Sequence, residues 1–294
     1  MRSRALRRLA AAPWLLAALA ASAGACGRGE RDGGRAGATA DPVGAGSASA
    51  PATGDELVMV DVPPRVGDTR TRTKDARHSF TVRRDGKDRA SVFSVHQERH
   101  EEVLAVEAGA ITRIAVTYRA DARTRGGEVE PTVLAGNRYE VWLEGDAIAA
   151  RRVDGAAVSA EELAALASAH DELGQPPVLD QLLAARRWRR DELVALSAAE
   201  VARLDAVRRG TARPRLVAMS LTLREVAGGV ATFALTTSSR QEGAGGLAFD
   251  GAGTLRLDVA RLEPLSLELT GTLAGQTDSG ELAGASQETT TYAY

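Results

Sequence analysis

The stretch LVAMSLTLREVAGGVATFALTT, residues 216–237, decides the fold. Val217, Met219, Leu221 and Leu223 alternate with small or polar neighbours, the side-chain period of a strand with one face in a core. Gly228-Gly229 then reverses the chain, and Ala231, Phe233 and Leu235 resume the alternation. A diglycine between two period-two runs predicts a tight antiparallel hairpin.

The same pattern extends through residues 214–294. Leu255, Leu257 and Val259 form one run, and Pro264 precedes Leu265, Leu267, Leu269 and Leu273 in another. The last residues alternate as Thr290, Tyr292, Tyr294. The glycines at 243–246 and 251–253 are expected to serve turns between these strands. A first β block covers 58–154, where Phe80 with Val82, Phe93 with Val95, and Ile114, Val116 and Tyr118 alternate in turn. Tyr139, Val141 and Leu143 follow, and Gly145-Asp146 supplies a further hairpin turn. LAVEAGAITRIAVTY (104–118) echoes LREVAGGVATFALTT (223–237), which either a duplication or shared turn chemistry would produce.

Between the β blocks, residues 158–210 switch to helical spacing. Ser159-Ala-Glu-Glu162 has the capping-box order, and Leu163, Leu166, Ala167 and His170 follow on one predicted face until Gly174 and Pro176-Pro177. Val178–Ala185 is a candidate short helix. Ser197-Ala-Ala-Glu200 repeats the capping box before Val201, Leu204, Val207 and the stop at Gly210. The sum is a mainly β (α+β) chain of ten to twelve strands with a two- to three-helix insert. Short turns favour a large antiparallel meander that curves or forms an open barrel, with the helices filling or capping its concave face.

Residues 1–25 carry Arg2, Arg4, Arg7 and Arg8, no acid, an apolar run from about Leu9 to Ala21, and small residues before Cys26. These are the three parts of a secretory signal peptide, and the run is too short to span a bilayer as a helix. Ala23-Gly24-Ala25-Cys26 resembles the lipobox of bacterial lipoproteins, with Ala23 where Leu is commonest. That resemblance implies acylation of Cys26 and cleavage before it, which also removes the liability of the chain's single thiol in an oxidising compartment. The alternative is an ordinary signal peptide cut after Ala25. Gly27–Gly54, with 8 Gly and 7 Ala, cannot bury a core and is expected to be a disordered tether reaching about 30 Å. Residues 55–294 then form a single β-rich domain.

The layout is similar to the open β-barrels of periplasmic lipoprotein carriers and to predicted lipoproteins of high-GC Gram-negative bacteria. It implies a domain anchored to the membrane through lipid and facing the periplasm. Gly27, where an aspartate would retain an enteric lipoprotein inside, favours the outer over the inner membrane.

Charge excludes one class. Without residues 1–25 the chain carries 33 basic and 39 acidic residues, a formal −6, which is no nucleic-acid footprint. No phosphate loop and no dinucleotide fingerprint is present, and no cofactor is expected. His96 and His100 sit four apart, but their flanks read as strand, which would hold them about 13 Å apart, too far to share a zinc ion. His170 is expected at a helix C-terminus, where a cation meets the dipole favourably. His78 is expected beside Ser79 at a strand start, with no nucleophile elbow near it. Arg186-Arg187-Trp188-Arg189-Arg190 offers a contact for an anionic lipid headgroup with Trp188 at the interface, though Asp191 and Glu192 fit an ordinary solvated segment.

No catalytic set emerges, and the chain reads as a non-enzyme. It is expected to bind a lipid or other apolar ligand, or an envelope protein partner. A structural or assembly protein acting through its outer surface is the alternative, and a hydrolase the third class.

Overall fold

The computed structural model describes residues 56–207, 214–241, 246–277 and 280–294. The leader, Cys26, the tether and Gly210 lie outside the described residues, as do Gly243 to Gly245.

The chain is mainly β, and its meander is antiparallel throughout. In order it runs β1 (Glu56–Val58), β2 (Thr69–Arg84), β3 (Lys87–Glu107), β4 (Ala110–Arg125), β5 (Glu128–Pro131), β6 (Arg138–Glu144) and β7 (Ala147–Arg152). The insert carries α1 (Ala160–Ala169), α2 (Val178–Ala184), β8 (Arg187–Arg189), β9 (Leu193–Ala195) and α3 (Ala198–Ala206). The second block is β10 (Arg215–Ala227), β11 (Val230–Arg240), β12 (Leu247–Asp258), β13 (Pro264–Thr277) and β14 (Gly280–Ala293).

Twelve strands join one sheet in the order β7-β6-β4-β3-β2-β14-β13-β12-β11-β10-β9, with β5 on β4, and the sheet does not close. The two blocks meet where β14 pairs β2 from Glu281↔Arg83 to Ala293↔Thr71. The first and last long strands are therefore central, and β7 and β9 are the edges. The insert starts after one edge and ends at the other, so it spans the sheet's concave side. Among the described residues no helix is long and apolar enough to cross a membrane.

The opening hairpin forms as its spacing predicts. Ala227 pairs with Val230 around Gly228-Gly229, both at positive φ, and Glu107 pairs with Ala110 around Ala108-Gly109, likewise both positive. Two successive positive φ values match the strand twist, so the two echoing hairpins share their turn chemistry. A register shift between Leu216 and Ala218 breaks the alternation at one point: Met219, Leu221 and Leu223 are buried, while Val217 is exposed.

The curvature comes from glycines inside strands. Gly251 and Gly253 lie within β12, not in a turn, and Gly271 lies within β13. A Cβ on Gly253 would stand 1.8 Å from the Glu268 carbonyl oxygen. One on Gly251 or Gly271 would stand 2.5 Å from the Phe249 ring, which covers the bare backbone of both. Glycine kinks let a wide sheet bend over its core.

Two apolar clusters fill the concave face. The larger joins Trp188, Leu179 and Leu183 of the insert to Leu221, Phe233, Leu255 and Leu269 of the second block. The smaller packs Leu166 and Leu173 on Ile114, Val116, Tyr118 and Tyr139.

The insert departs from expectation in three places. It contains two short strands, β8 pairing β1 and β9 pairing β10, that its helical spacing concealed. Helix α1 ends at Ala169, before Gly174, with His170 as its C-cap. Its buried positions are Glu162 and Leu166, whereas Leu163 is exposed. Both capping boxes form as expected.

Candidate functional site: a buried charged belt beside a cleft

The concave face carries charge between its two apolar clusters. Register places Arg70 opposite Glu101, and Arg72 opposite Arg99, on β2 and β3. On the other side of β2, Tyr292 of β14 stands opposite Arg72, Thr290 opposite Lys74, and Ser286 opposite His78. Arg72, Lys74, Arg99, Glu101 and Glu288 are all buried.

Such a belt is stable only if the charges pair. Glu101 bridges two guanidinium groups, with Arg70 Nε at 2.5 Å and Arg99 Nε at 2.7 Å. Against the cost of burial, Arg70 and Arg99 hold its carboxyl far below the usual range. Arg99 also donates to the Ala169 carbonyl at 3.1 Å, satisfying one of the open carbonyls at the end of α1. Lys74 Nζ lies 2.9 Å from Glu288 Oε2. Burial pulls the Lys74 pKa down while Glu288 opposes the fall. Arg72 lies over the Tyr292 ring at 6.0 Å, and its Nε has no hydrogen-bond partner.

His170 joins this belt and not the solvent. Its Nε2 is 3.0 Å from the Tyr118 hydroxyl, and its Nδ1 is 3.9 Å from Glu101. Burial, reinforced by Arg99, pushes its pKa down to about 3. The expectation of a cation at the helix end is therefore corrected: the imidazole is neutral, because desolvation and the arginines outweigh the dipole.

The other histidines separate. His78 lies in the middle of β2, not at its start, with Nδ1 2.8 Å from the Ser286 hydroxyl and its ring stacked on Phe93. Burial and Lys74 push its pKa down to about 4. His96 and His100 share β3, as their flanks suggest, but pair differently, with Asp75 at 2.8 Å and Thr71 at 3.1 Å. Among the described residues no three potential ligands stand where they could hold a metal.

The basic segment is also corrected. Trp188 is 1% exposed, donates to the Leu183 carbonyl at 2.9 Å, and meets the Phe233 ring edge-on. A ring so placed cannot settle in a membrane interface. The alternation in β8 turns Arg187 and Arg189 outward, where both approach Glu56, and Arg186 pairs with Glu200.

A cleft opens next to the belt, where the link between α1 and α2 crosses β3 and β4. Its volume is about 60 Å³, room for a few water-sized groups. Ile111, Ile114, Val103 and Leu173 give it apolar walls, and Arg70, Glu101, His170 and Glu172 add polar groups. Glu172 Oε2 is buried without a hydrogen-bond partner. Burial and the adjacent Asp171 push the Glu172 pKa up to about 8. Sequence reasoning missed this set. Arg70, Arg72 and Lys74 at spacing two are a period-two signal, yet charge at that spacing ordinarily marks a solvent face.

No protein-family model matches the chain, and no curated protein matches it. Among solved structures it is similar to DynF from the dynemicin biosynthesis pathway of Micromonospora chersina, at 10% identity and a TM-score of 0.21. That comparison covers 86% of this chain and 92% of the other. A likeness so loose carries no argument about fold or chemistry.

Proposed function

We propose that the chain is a bacterial lipoprotein, acylated at Cys26, whose periplasm-facing β domain is a non-catalytic module for a small, partly apolar ligand. The outer membrane is the proposed site. The leader, the single thiol and the tether support the anchor, and several acyl chains on one cysteine would hold firmly at ~0.8 kcal/mol per buried methylene. The apolar-walled cleft beside Arg70, Glu101 and Glu172 carries the binding reading. An apolar site with a few convergent polar groups is the usual form of a small-molecule pocket. The filled concave face narrows the ligand, because Leu179, Leu183 and Trp188 occupy the space a long acyl chain would need. A non-catalytic role fits the Ser286–His78 pair, which is 4% and 2% exposed and out of a substrate's reach.

The filled core also favours a second reading, an assembly protein acting through its outer surface. Metabolic palmitate labelling tests the anchor: label that persists in Cys26→Ser sinks it. Native mass spectrometry of envelope-purified protein tests the module. A small adduct lost when Ile114→Trp fills the cleft supports ligand binding, and a stoichiometric protein partner with no adduct supports assembly.

A further inference from the structure

Resting on the small-ligand reading, we infer that the cleft takes a small primary amine, with its apolar body against Ile111, Ile114 and Leu173 and its nitrogen at the Glu172 carboxylate. Three observations carry this. First, among the described residues Arg70 is the lone arginine or lysine lining the cleft, and Glu101 already holds it at 2.5 Å. The Glu101 carboxylate thus offsets the one cationic side chain in the lining, which leaves little net attraction for an anionic ligand. Second, Glu172 lines the cleft and, beside the hydrogen bond its carboxyl shares with Asp171, its Oε2 lacks a partner, so an oxygen that becomes a pure acceptor once the proton leaves stands open to a ligand. A buried acceptor without a donor is a site that a ligand's N–H satisfies. Third, Val103, Ile111, Ile114, Leu173 and Val207 give one apolar side to the lining, which suits a short hydrocarbon body of about four carbons in a 60 Å³ space.

The charged groups around Glu172 set a signature. Asp171 raises its proton affinity and Arg99 lowers it, and the other charged or titratable groups of the lining are Asp68, Arg70, Glu101 and the neutral His170. With its pKa near 8, the free protein holds a proton on Glu172 at neutral pH. An arriving ammonium favours the carboxylate, so the proton leaves to solvent as the ion pair forms. Each bound amine therefore releases close to one proton below pH 8, and affinity rises toward tenfold per pH unit from about pH 6 to pH 8.

The test uses the full-length chain in detergent, with n-butylamine, butyrate and 1-butanol as probes of one size. Isothermal titration in buffers of different ionisation enthalpy counts the protons. The expected result is binding of n-butylamine with release of close to one proton at pH 6.5. Affinity at pH 7.5 is expected to be several-fold tighter, with at least a tenfold loss in Glu172→Gln. Amine binding without proton release, or undiminished in Glu172→Gln, overturns the assignment. Binding of butyrate or 1-butanol in place of the amine overturns it too but leaves the small-ligand reading standing. No binding of any probe removes both. If Glu172→Gln fails to fold, the proton count on the unaltered chain still decides.

Discussion

The Tyr118 hydroxyl stands 3.0 Å from His170 Nε2 inside the protein, joining the middle of β4 to the residue that caps α1. Burial and Arg99, not this contact, keep the imidazole neutral, and buried groups of this kind give stability a definite pH profile. His170 and His78 titrate near 3 and 4 in the folded chain, against about 6.5 unfolded. Both are depressed, so their contribution is whole above pH 6.5 and is lost as pH falls toward 4 and 3. Glu172 and Glu263 are raised to about 8 and about 7, mainly by burial. Their contribution is whole below the unfolded value of about 4.5 and is lost as pH rises through 7 and 8. Between about pH 4.5 and 6.5 the two pairs offset each other, each group counting up to about 1.4 kcal/mol per pH unit. Asp180, also raised by burial, tips the maximum toward the acidic end. Urea unfolding from pH 3.5 to 9 should show a maximum at about pH 4.5–5 that declines on both sides. A steady rise from pH 5 to 9 would contradict it.

The strands were legible because their apolar residues obey a period of two over long runs, as Leu255-Leu257 and Leu267-Leu269 do on facing strands. The order of strands in each block followed from short turns. What stayed hidden depends on distant partners. Nothing near Glu288 announces that Lys74 faces it from β2, because that contact requires β14 to dock on β2. The strands β8 and β9 were hidden too, since three residues show no period. The cleft depends on where the α1–α2 link lies on β3 and β4, a packing outcome that spacing does not encode.

Trp188 supplies a second prediction. Its ring fills the larger cluster and its Nε1 is satisfied by Leu183, so Trp188→Ala should cost about 3–5 kcal/mol in urea unfolding. Its emission should be that of a dry environment, and anionic vesicles should leave it unchanged. A vesicle-induced shift that vanishes in Trp188→Phe would restore the headgroup contact withdrawn above.

Glu162 separates a cap from a buried bond. It accepts from the Ser159 amide at 2.8 Å, as a capping-box residue does, and also from the Tyr139 hydroxyl at 2.6 Å and Arg152 at 3.1 Å. Ser159→Ala removes a cap and should cost about 1 kcal/mol. Glu162→Ala also takes the carboxylate acceptor from a buried tyrosine hydroxyl and leaves it Asn137 alone, worth about 1 kcal/mol more. Equal losses in the two variants would show that the Tyr139 bond contributes nothing.

The sheet's bend makes the last prediction, because two neighbouring glycines meet obstacles of different kinds. At Gly253 the obstacle is the Glu268 carbonyl, which belongs to the paired strand and cannot withdraw without breaking the β12–β13 ladder. At Gly251 it is the far end of the Phe249 ring, a side chain that can turn away or be shortened. Gly253→Ala should therefore cost at least the upper end of the ~1–3 kcal/mol typical of overpacking, with no rescue by a side-chain change. Gly251→Ala should be partly restored by Phe249→Leu, giving a favourable coupling in a double-mutant cycle of about 0.5 kcal/mol or more. The same cycle between Gly253→Ala and Phe249→Leu should give none. Coupling of equal size in both cycles would mean that the ring, and not the backbone approach, is what requires glycine at both positions.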